Sequence, residues 1–256
     1  MTARTEAPGP GGRPRTALVT GSTSGIGRAT ASALARAGLA VVVHGRDPVR
    51  GEQVCDEIRR AGGEAALLLA DLSVAEQTRE LAERAAAVTG GIDVLVNNAF
   101  EPGTYAPSAD TSIPDFERRV AVNVRAPFIL TAALAPAMAE RGEGAVVNVS
   151  MAAASKGVVG IALTSATKAA LESLTRSWAA EYGPRGVRVN TVSPGVILTP
   201  ANEHLREQMH AFAAATPAQR PAESPEVAEV IAFLASPAAS YIHGATIAVD
   251  GGMLAV

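Results

Sequence analysis

Residues 16–37 read TALVTGSTSGIGRATASALARA. The apolar run at 17–19 is typical of a strand buried on both faces, and the alanine-rich pattern after the glycines is typical of a helix. Gly21, Gly25 and Gly27 lack a Cβ atom, so the chain can turn sharply and a pyrophosphate can approach the main chain. The N–H groups of the first helical turn then face the anion. This strand, turn and helix predict a phosphate-binding site.

The glycine spacing is GxxxGxG, and TGxxxGIG after an N-terminal strand resembles the short-chain dehydrogenase/reductase family. The resemblance covers about residues 15–252 and implies an α/β fold of Rossmann type, with a doubly wound, seven-stranded parallel sheet in a single domain. From the residues alone, the alternative is a glycine-rich turn without a ligand. The resemblance places five residues of the turn at a cofactor: Gly21, Ser24, Gly25, Ile26 and Gly27.

Composition excludes several classes of protein. The 256 residues are 48% hydrophobic, and their net charge of −3 comes from interspersed charges, which argues against a nucleic-acid surface. The single cysteine, Cys55, excludes an internal disulfide and fits the reducing cytoplasm. No uninterrupted apolar run approaches the ~18 to 20 residues that span a bilayer, and there is no signal-peptide pattern. We expect a cytoplasmic protein that binds neither nucleic acid nor membrane.

Apolar runs alternate with helical patterns along the chain, which predicts one domain at 15–256. Residues 1–14 contain three prolines and three glycines and are predicted to be a disordered leader. The predicted strands are 17–19, 39–43, 65–70, 92–96, 145–149, 187–192 and 245–249. Beyond the helix of the glycine turn, the predicted helices are 47–61, one from near Val74, 112–140, 165–182, 201–215 and 224–235, the last capped by Ser224.

The second predicted strand ends in HGRD, residues 44–47. In the family an acidic residue here binds the ribose of NAD, whereas a nearby arginine favours the extra phosphate of NADP. The acid position is Gly45, and Arg46 follows it. The resemblance therefore implies NADP(H) in preference to NAD(H), although Arg46 is also placed to pair with Asp47 or Asp56 on the surface.

The third predicted strand is followed by Asp71 and Leu72. The resemblance places Asp71, with Leu72 beside it, at the adenine ring of the cofactor. From the residues alone, Asp71 or Ser73 is equally suited to cap the helix that starts near Val74.

The fourth predicted strand runs into Asn97, Asn98 and Ala99. The family pattern here is NNAG, and the resemblance gives Asn98 and Ala99 contacts with the cofactor. This chain has Phe100 in place of the glycine. A phenylalanine adopts positive φ only at a cost and needs room for its ring. We expect the loop to differ locally, or the ring to shape the pocket.

The long helical region at 112–140 carries Asn123 in the sequence VAVNVRAPF. Asn123 matches the asparagine of the family that lies at a helix kink and helps to hold a water linked to the active-site lysine. The alternative is a buried asparagine that satisfies backbone groups without any part in proton transfer.

Residues 150–178 read SMAAASKGVVGIALTSATKAALESLTRSW. In the YxxxK motif of the family, a tyrosine transfers the substrate proton, and a lysine one helical turn later lowers the pKa of that tyrosine and contacts the nicotinamide ribose. Lys168 matches the lysine, which places Thr164 at the tyrosine position and Met151 at the position of the family's serine. Ser150 is one residue too early and is expected to point to the other side of its strand. A threonine hydroxyl is a poor general acid.

Pro194 and Gly195 follow the sixth predicted strand and resemble the segment that the family places over the nicotinamide. There the backbone near Ile197 and the hydroxyl of Thr199 would hold the carboxamide. The alternative is an ordinary proline-glycine turn. We expect the segment at 196–220, with its helix at 201–215, to be a mobile lid.

Three functions fit these residues. The first is an NADP(H)-dependent oxidoreductase for an alcohol or carbonyl of an apolar small molecule, with its proton donor relocated. The second is a non-redox cyclase, dehydratase or isomerase of a biosynthetic pathway, in which Lys156 is a candidate cation or nucleophile. The third is a catalytically silent partner subunit. The candidate donors are Tyr105, His204, His210, or a water held by Asn123 and Lys168.

The resemblance also implies a homo-oligomer, a dimer or tetramer, built through the helix at 165–182 and the C-terminal strand. No metal site is predicted.

Overall fold

The structure is a computed structural model that describes residues 14–103 and 105–256. The predicted disordered leader, apart from Pro14, lies outside these residues.

Seven parallel strands form the central sheet, in the order β3-β2-β1-β4-β5-β6-β9. The strands of this sheet are β1 Thr16–Val19, β2 Ala40–Gly45, β3 Ala65–Leu69, β4 Val94–Asn97, β5 Gly144–Val149, β6 Val187–Pro194 and β9 Thr246–Val249. Two short strands, β7 Ile197–Leu198 and β8 Ala222–Glu223, pair separately. The doubly wound, seven-stranded sheet is therefore confirmed. The strand order reverses between β1 and β4, and parallel sheets of this kind bind ligands beyond the carboxyl ends of the strands at that point.

Helices cover both faces of the sheet. They are α1 Gly25–Arg36, α2 Pro48–Arg60, α3 Ala75–Thr89, α4 Ile113–Val120, α5 Ala126–Arg141, α6 Ala162–Tyr182, α7 Arg206–Ala213 and α8 Ser224–Ala235. Strand β1 divides its side chains between two cores, because successive residues point to opposite faces. Ala17 and Val19 join the core under α1, α2 and α8, whereas Leu18 joins the core under α3, α5 and α6.

The predicted cap of α8 is wrong, and the alternative role of Asp71 as a helix cap is not observed. Ser224 is the first residue of α8, and the N-cap is Glu223, whose N–H donates to the carboxylate of Glu226 at 2.9 Å. Helix α3 has Val74 as its N-cap, with no side-chain cap, so Asp71 does not fill that role. In both cases several neighbouring residues are able to cap, and packing of the entering chain selects one.

The helical stretch Ile113–Arg141 is long and apolar enough to meet the length and composition test for a membrane span, and half of its most apolar window is buried. Its helix α5 packs on α3 and α6, and Leu130, Leu134 and Met138 lie in the core. The stretch is therefore a core helix of this fold. A π-helical turn at Ala121–Arg125 separates α4 from α5.

Candidate active site

The turn between β1 and α1 has the shape that its glycines permit. Gly21 lies at φ +64°, and a Cβ atom on Gly27 would lie 2.3 Å from the carbonyl oxygen of Gly21. Ser24 is the N-cap residue of α1, but its side chain makes no capping hydrogen bond. Ile26 is half-buried in the first helical turn. The N–H groups of that turn are therefore open to an anion.

A buried histidine, which the sequence analysis missed, supports this turn. His44 Nδ1 accepts a hydrogen bond from the N–H of Gly21 at 3.1 Å, and Nε2 lies 3.2 Å from the carbonyl oxygen of Ala70. With Nδ1 as acceptor, Nε2 carries the proton of a neutral ring. Burial lowers the pKa of His44 from 6.5 to about 4. The only sequence signal for this role is the position of His44 at the end of a strand beside β1.

The end of β2 is crowded at the position where an acidic residue would bind the ribose of NAD. A Cβ atom on Gly45 would lie 2.4 Å from Cγ2 of Thr23. Arg46 is exposed. Its two alternative partners, Asp47 and Asp56, pair with other arginines at 3.3 and 3.1 Å.

Asp71 lies beside Arg46, at the end of β3. Its Oδ1 accepts hydrogen bonds from the N–H and hydroxyl of Ser73 at 2.9 and 2.8 Å. Partial burial acts to raise the pKa of Asp71, but these bonds and the charges of Arg46 and Arg118 outweigh it and lower the pKa. Leu72, the next residue, is buried. The edge formed by β2 and β3 therefore carries one exposed cation and one ionised carboxylate.

Asn98 and Ala99 fasten β4 to the glycine turn. The Nδ2 of Asn98 donates to the carbonyl oxygens of Thr20 and Gly21 at 2.8 and 3.2 Å. The N–H groups of Asn98 and Ala99 both donate to the hydroxyl of Thr20 at 3.0 Å. These two predicted cofactor residues therefore hold the turn in place.

Pro194 is the last residue of β6, and the N–H of Gly195 donates to the carbonyl oxygen of Val249 at 3.1 Å. Ile197 is buried and pairs with Ala222 between β7 and β8. The backbone of this segment is thus held by β8 and β9.

Thr199 brings the same segment over the glycine turn. Its N–H and hydroxyl donate to Oδ1 of Asn202 at 2.8 and 3.2 Å. A Cβ atom on Gly25 would lie 3.4 Å from Cγ2 of Thr199. The structure therefore places two of the predicted cofactor segments next to each other.

Asn123 lies in the π-helical turn, so the helix irregularity expected at this residue is present. Its Oδ1 accepts from the N–H of Glu101 at 2.8 Å. Its Nδ2 donates to the carbonyl oxygen of Glu101 at 3.1 Å and to the hydroxyl of Thr167 at 3.2 Å. Asn123 thereby joins the loop after β4 to helix α6.

Thr164 is buried, and its hydroxyl is engaged on both sides. It donates to the carbonyl oxygen of Pro102 at 3.1 Å and accepts from Nη1 of Arg119 at 3.2 Å. Because a hydroxyl has one proton, this arrangement directs that proton to Pro102. The predicted tyrosine position therefore acts as a clasp between α6 and the loop after β4.

Arg119 is a second residue that the sequence analysis missed. Its side chain is 3% exposed, and its Nε and Nη2 form a bidentate pair with the carboxylate of Asp115. A Cβ atom on Gly103 would lie 1.8 Å from the guanidinium carbon, so only a glycine fits beneath it. The available signal was spacing, because Arg119 lies one turn before Asn123 on the same face.

Lys168 is buried below the loop after β4. Its Nζ donates to the carbonyl oxygen of Val149 at 2.8 Å and lies 4.7 Å from the centre of the Phe100 ring. Burial lowers the pKa of Lys168 to about 8. Phe100 does not adopt positive φ, since Gln219 is the one non-glycine residue in the described chain that does. The loop has thus adjusted locally, and the ring borders the site.

Neither Met151, at the predicted serine position, nor Ser150 before it presents a hydroxyl group to the amine of Lys168. Met151 is half-buried with an extended backbone. Ser150 donates its hydroxyl proton to Glu172 on α6 at 2.6 Å. Ser150 therefore points away, as its place on the strand predicts.

The candidate proton donors and Lys156 lie at the surface. Tyr105 is 67% exposed and lies against Gly160, whose Cβ atom would meet the ring at 2.5 Å. His204, His210 and Lys156 are exposed. None of these four side chains forms a hydrogen bond with Lys168 or Thr164 in residues 14–103 and 105–256. No cluster of three or more metal-binding side chains is found there either.

Comparison with known proteins identifies the family. The sequence model described as enoyl-(acyl carrier protein) reductase matches residues 21–254. The cis-4-hydroxycyclohexanecarboxylate dehydrogenase of Sinomonas cyclohexanicum is 40% identical over 244 residues, which cover 94% of this chain and 97% of that protein. A solved structure described as a short chain dehydrogenase/reductase family protein matches with a TM-score of 0.86 and 45% identity, over 94% of this chain and 98% of that one. The chain belongs to the short-chain dehydrogenase/reductase family.

A further solved structure to which this chain is similar has NADP bound. It is a 3-oxoacyl (acyl-carrier-protein) reductase from Agrobacterium tumefaciens C58, with a TM-score of 0.89, 34% identity and 93% coverage of both chains. The glycine turn, Asn123 and Lys168 match positions of the family motifs, and Thr164 and Met151 remain the predicted counterparts of the family's tyrosine and serine.

Proposed function

We propose that this short-chain dehydrogenase/reductase is an NADP(H)-dependent oxidoreductase that interconverts an alcohol and a carbonyl group of an apolar small molecule. The residues at the ends of β2 and β3 give the main support for this proposal. Gly45 supplies no carboxylate for the ribose of NAD, and the exposed Arg46 lies close enough to Asp71 for its charge to lower the pKa of that carboxyl. An exposed arginine suits the extra phosphate of NADP, because guanidinium groups bind phosphate in a bidentate manner.

The glycine turn would hold the pyrophosphate, and Thr199 and Ile197 would hold the carboxamide of the nicotinamide. The bound nicotinamide supplies or accepts the hydride. Lys168 would contact the ribose, as the family resemblance implies.

Exposed apolar side chains in the loop after β4 and in the segment before α6 support an apolar substrate. Phe100, Tyr105 and Val159 are 43%, 67% and 83% exposed, and Tyr105 lies against Gly160, the neighbour of Val159. The Sinomonas relative is named for a hydroxyl-bearing cyclohexane ring. A ring alcohol or ketone of this kind suits such a surface.

We further propose that the proton passes through a water held by Lys168 and Asn123. The hydroxyl of Thr164 is directed to Pro102, and the amine of Lys168 has a pKa of about 8, in the range where a group both gains and loses protons. Carbonyl reduction is then expected to persist in Tyr105→Phe, His204→Ala and His210→Ala, and to be lost in Lys168→Met. Loss of activity in one of the first three variants would identify that side chain as the donor instead.

Titration of the purified protein with NADPH and NADH tests the cofactor. Arg46→Ala is expected to weaken NADPH binding by about 10- to 100-fold, the value of one to two charge-assisted hydrogen bonds, and to leave NADH binding unchanged. Arg50→Ala is the matched control, since Arg50 is an exposed arginine that pairs with Asp47. Equal losses for both nucleotides in Arg46→Ala would contradict the proposed role.

The clasp at Thr164 favours a second candidate, a non-redox cyclase, dehydratase or isomerase, because the family's proton donor is absent from this position. A silent partner subunit is the third. Binding of neither nucleotide would reject the oxidoreductase and leave these two. Co-purification with an active relative would then favour the partner subunit.

We also propose a homo-oligomer, dimer or tetramer. Phe128 on α5 is 50% exposed beside Trp178, and Tyr241, close to β9, is fully exposed. Apolar groups at these places suit subunit contacts. Light scattering measures the mass of the assembly.

A further inference from the structure

The amine of Lys168 is enclosed between a carbonyl group and an aromatic ring. The residue is 3% exposed, with the carbonyl oxygen of Val149 at 2.8 Å and the Phe100 ring centre at 4.7 Å. Within the described chain, Lys168 forms no ion pair. The ring of Phe100 is therefore the second partner of this buried cation, beside the carbonyl oxygen of Val149, and cations bind the face of aromatic rings.

The Phe100 ring is also the cover of the amine. Phe100 is 43% exposed, so the ring lies between solvent and the ammonium group. The next two residues are fixed, because Glu101 is bound through both backbone groups to Asn123 and Pro102 is bound to Thr164. The backbone that carries the ring is thus held, and access to the amine requires rotation of the side chain.

We propose that Phe100 is a specificity-determining residue of the cofactor site. Its ring covers the Lys168 ammonium and must be displaced before a nicotinamide ribose reaches it. Phe100 therefore lowers the affinity for the nicotinamide half of the cofactor and leaves the affinity for the adenine half unchanged. This inference rests on the proposed function, in which Lys168 contacts the ribose.

The expected effect follows from the strength of the contact that is broken. Cation–π contacts between the upper value for exposed sites and the value for desolvated sites correspond to about 5- to 30-fold in affinity. Phe100→Ala is therefore expected to tighten NADPH binding by about 5- to 30-fold. The fragment 2′,5′-ADP lacks the nicotinamide and its ribose, so its affinity is expected to change by less than about twofold.

Chemical labelling tests the cover without any cofactor. Lys156 and Lys168 are the only lysines of the chain, so the exposed Lys156 is an internal reference. After brief treatment with acetic anhydride, peptide mass spectrometry gives the ratio of acetylation at the two lysines. We expect this ratio to be low in the wild type and to rise at least tenfold in Phe100→Ala.

Two further variants complete the design. Phe233→Ala is the matched control, because Phe233 on α8 is 45% exposed and lies on another part of the fold. Phe100→Leu keeps much of the bulk and provides a milder change if the alanine variant does not fold; it is expected to show the same trends with smaller amplitude.

The two measurements separate the possible failures. If NADPH binds the wild type but its affinity is unchanged or weaker in Phe100→Ala, or if the labelling ratio does not rise, the inference about Phe100 is wrong and the proposed cofactor stands. If neither NADPH nor 2′,5′-ADP binds any variant, the proposed function fails and this inference fails with it, while the labelling ratio still reports the cover itself.

Discussion

Acidification is expected to weaken the fold through His44, because this ring is buried in its neutral form. The pKa of His44 is about 4 in the folded protein, against 6.5 for an unperturbed histidine. The unfolded chain therefore takes up the proton first as the pH falls. The free energy of unfolding falls below pH 6.5 and this loss levels off below pH 4. At 1.36 kcal/mol per pKa unit the full loss is about 3 kcal/mol, of which somewhat less than half is lost by pH 5.5.

Urea unfolding, followed by the fluorescence of the single tryptophan Trp178, measures this loss. His44→Gln does not titrate, so the difference in unfolding free energy between the wild type and this variant isolates His44 from other acid-sensitive groups. We expect this difference to shift by about 2 to 3 kcal/mol between roughly pH 7.5 and pH 4.5, to the disadvantage of the wild type. His204→Gln, at an exposed histidine, is the control and should show no such shift. Parallel pH profiles of the wild type and His44→Gln would refute the reasoning.

Two other predictions concern α6. Lys168→Met is expected to raise the free energy of unfolding at neutral pH by up to about 3 kcal/mol, because burial lowers the pKa of Lys168 from 10.5 to about 8 and so disfavours the charged form. This gain in the free energy of unfolding should shrink as the pH rises from about 8 to 10.5. Thermal unfolding at these two pH values measures the gain. Lys156→Met is the control and should change the free energy of unfolding little. Thr164→Val is expected to lower the free energy of unfolding by about 1 to 3 kcal/mol, because it removes the hydrogen bonds of the hydroxyl to the carbonyl oxygen of Pro102 and to Nη1 of Arg119. Urea unfolding of Thr164→Ser, which keeps the hydroxyl, is the comparison, and equal losses in both variants would contradict the clasp.

Much of the fold can be predicted from local patterns in the sequence. Each strand is a short apolar run and each helix a periodic one, so the alternation of the two predicts a parallel sheet without any long-range information. The turn at Gly21 and Gly27 is likewise local, since the constraint that makes it acts between residues six apart. Errors arose at boundaries, such as the cap at Glu223, where neighbouring residues are equally able to fill one role, and at the short pair of β7 and β8, which was not predicted.

The contacts that the residues of the candidate site make depend on segments that are distant from one another along the chain. The hydroxyl of Thr164 meets Pro102 from 62 residues along the chain and Arg119 from 45 residues. A family motif indicates which position lacks its tyrosine, but only the folded chain shows what the replacement touches. The same holds for Phe100, whose missing glycine is visible in the sequence while its contact with Lys168 is not.

The π-helical turn at Ala121–Arg125 sets the rotational phase of the helix on either side of it. An α-helix advances about 100° per residue, and a π turn holds about one residue more than an α turn. Helix α5 can therefore keep Leu130 in the core while Arg119 and Asn123 both face α6. Removal of one residue from this turn would restore a regular helix and rotate α4 by about 100°, which would carry Arg119 away from Thr164. In this turn the number of residues, rather than the identity of any side chain, lets α5 face the core while Arg119 and Asn123 face the candidate site.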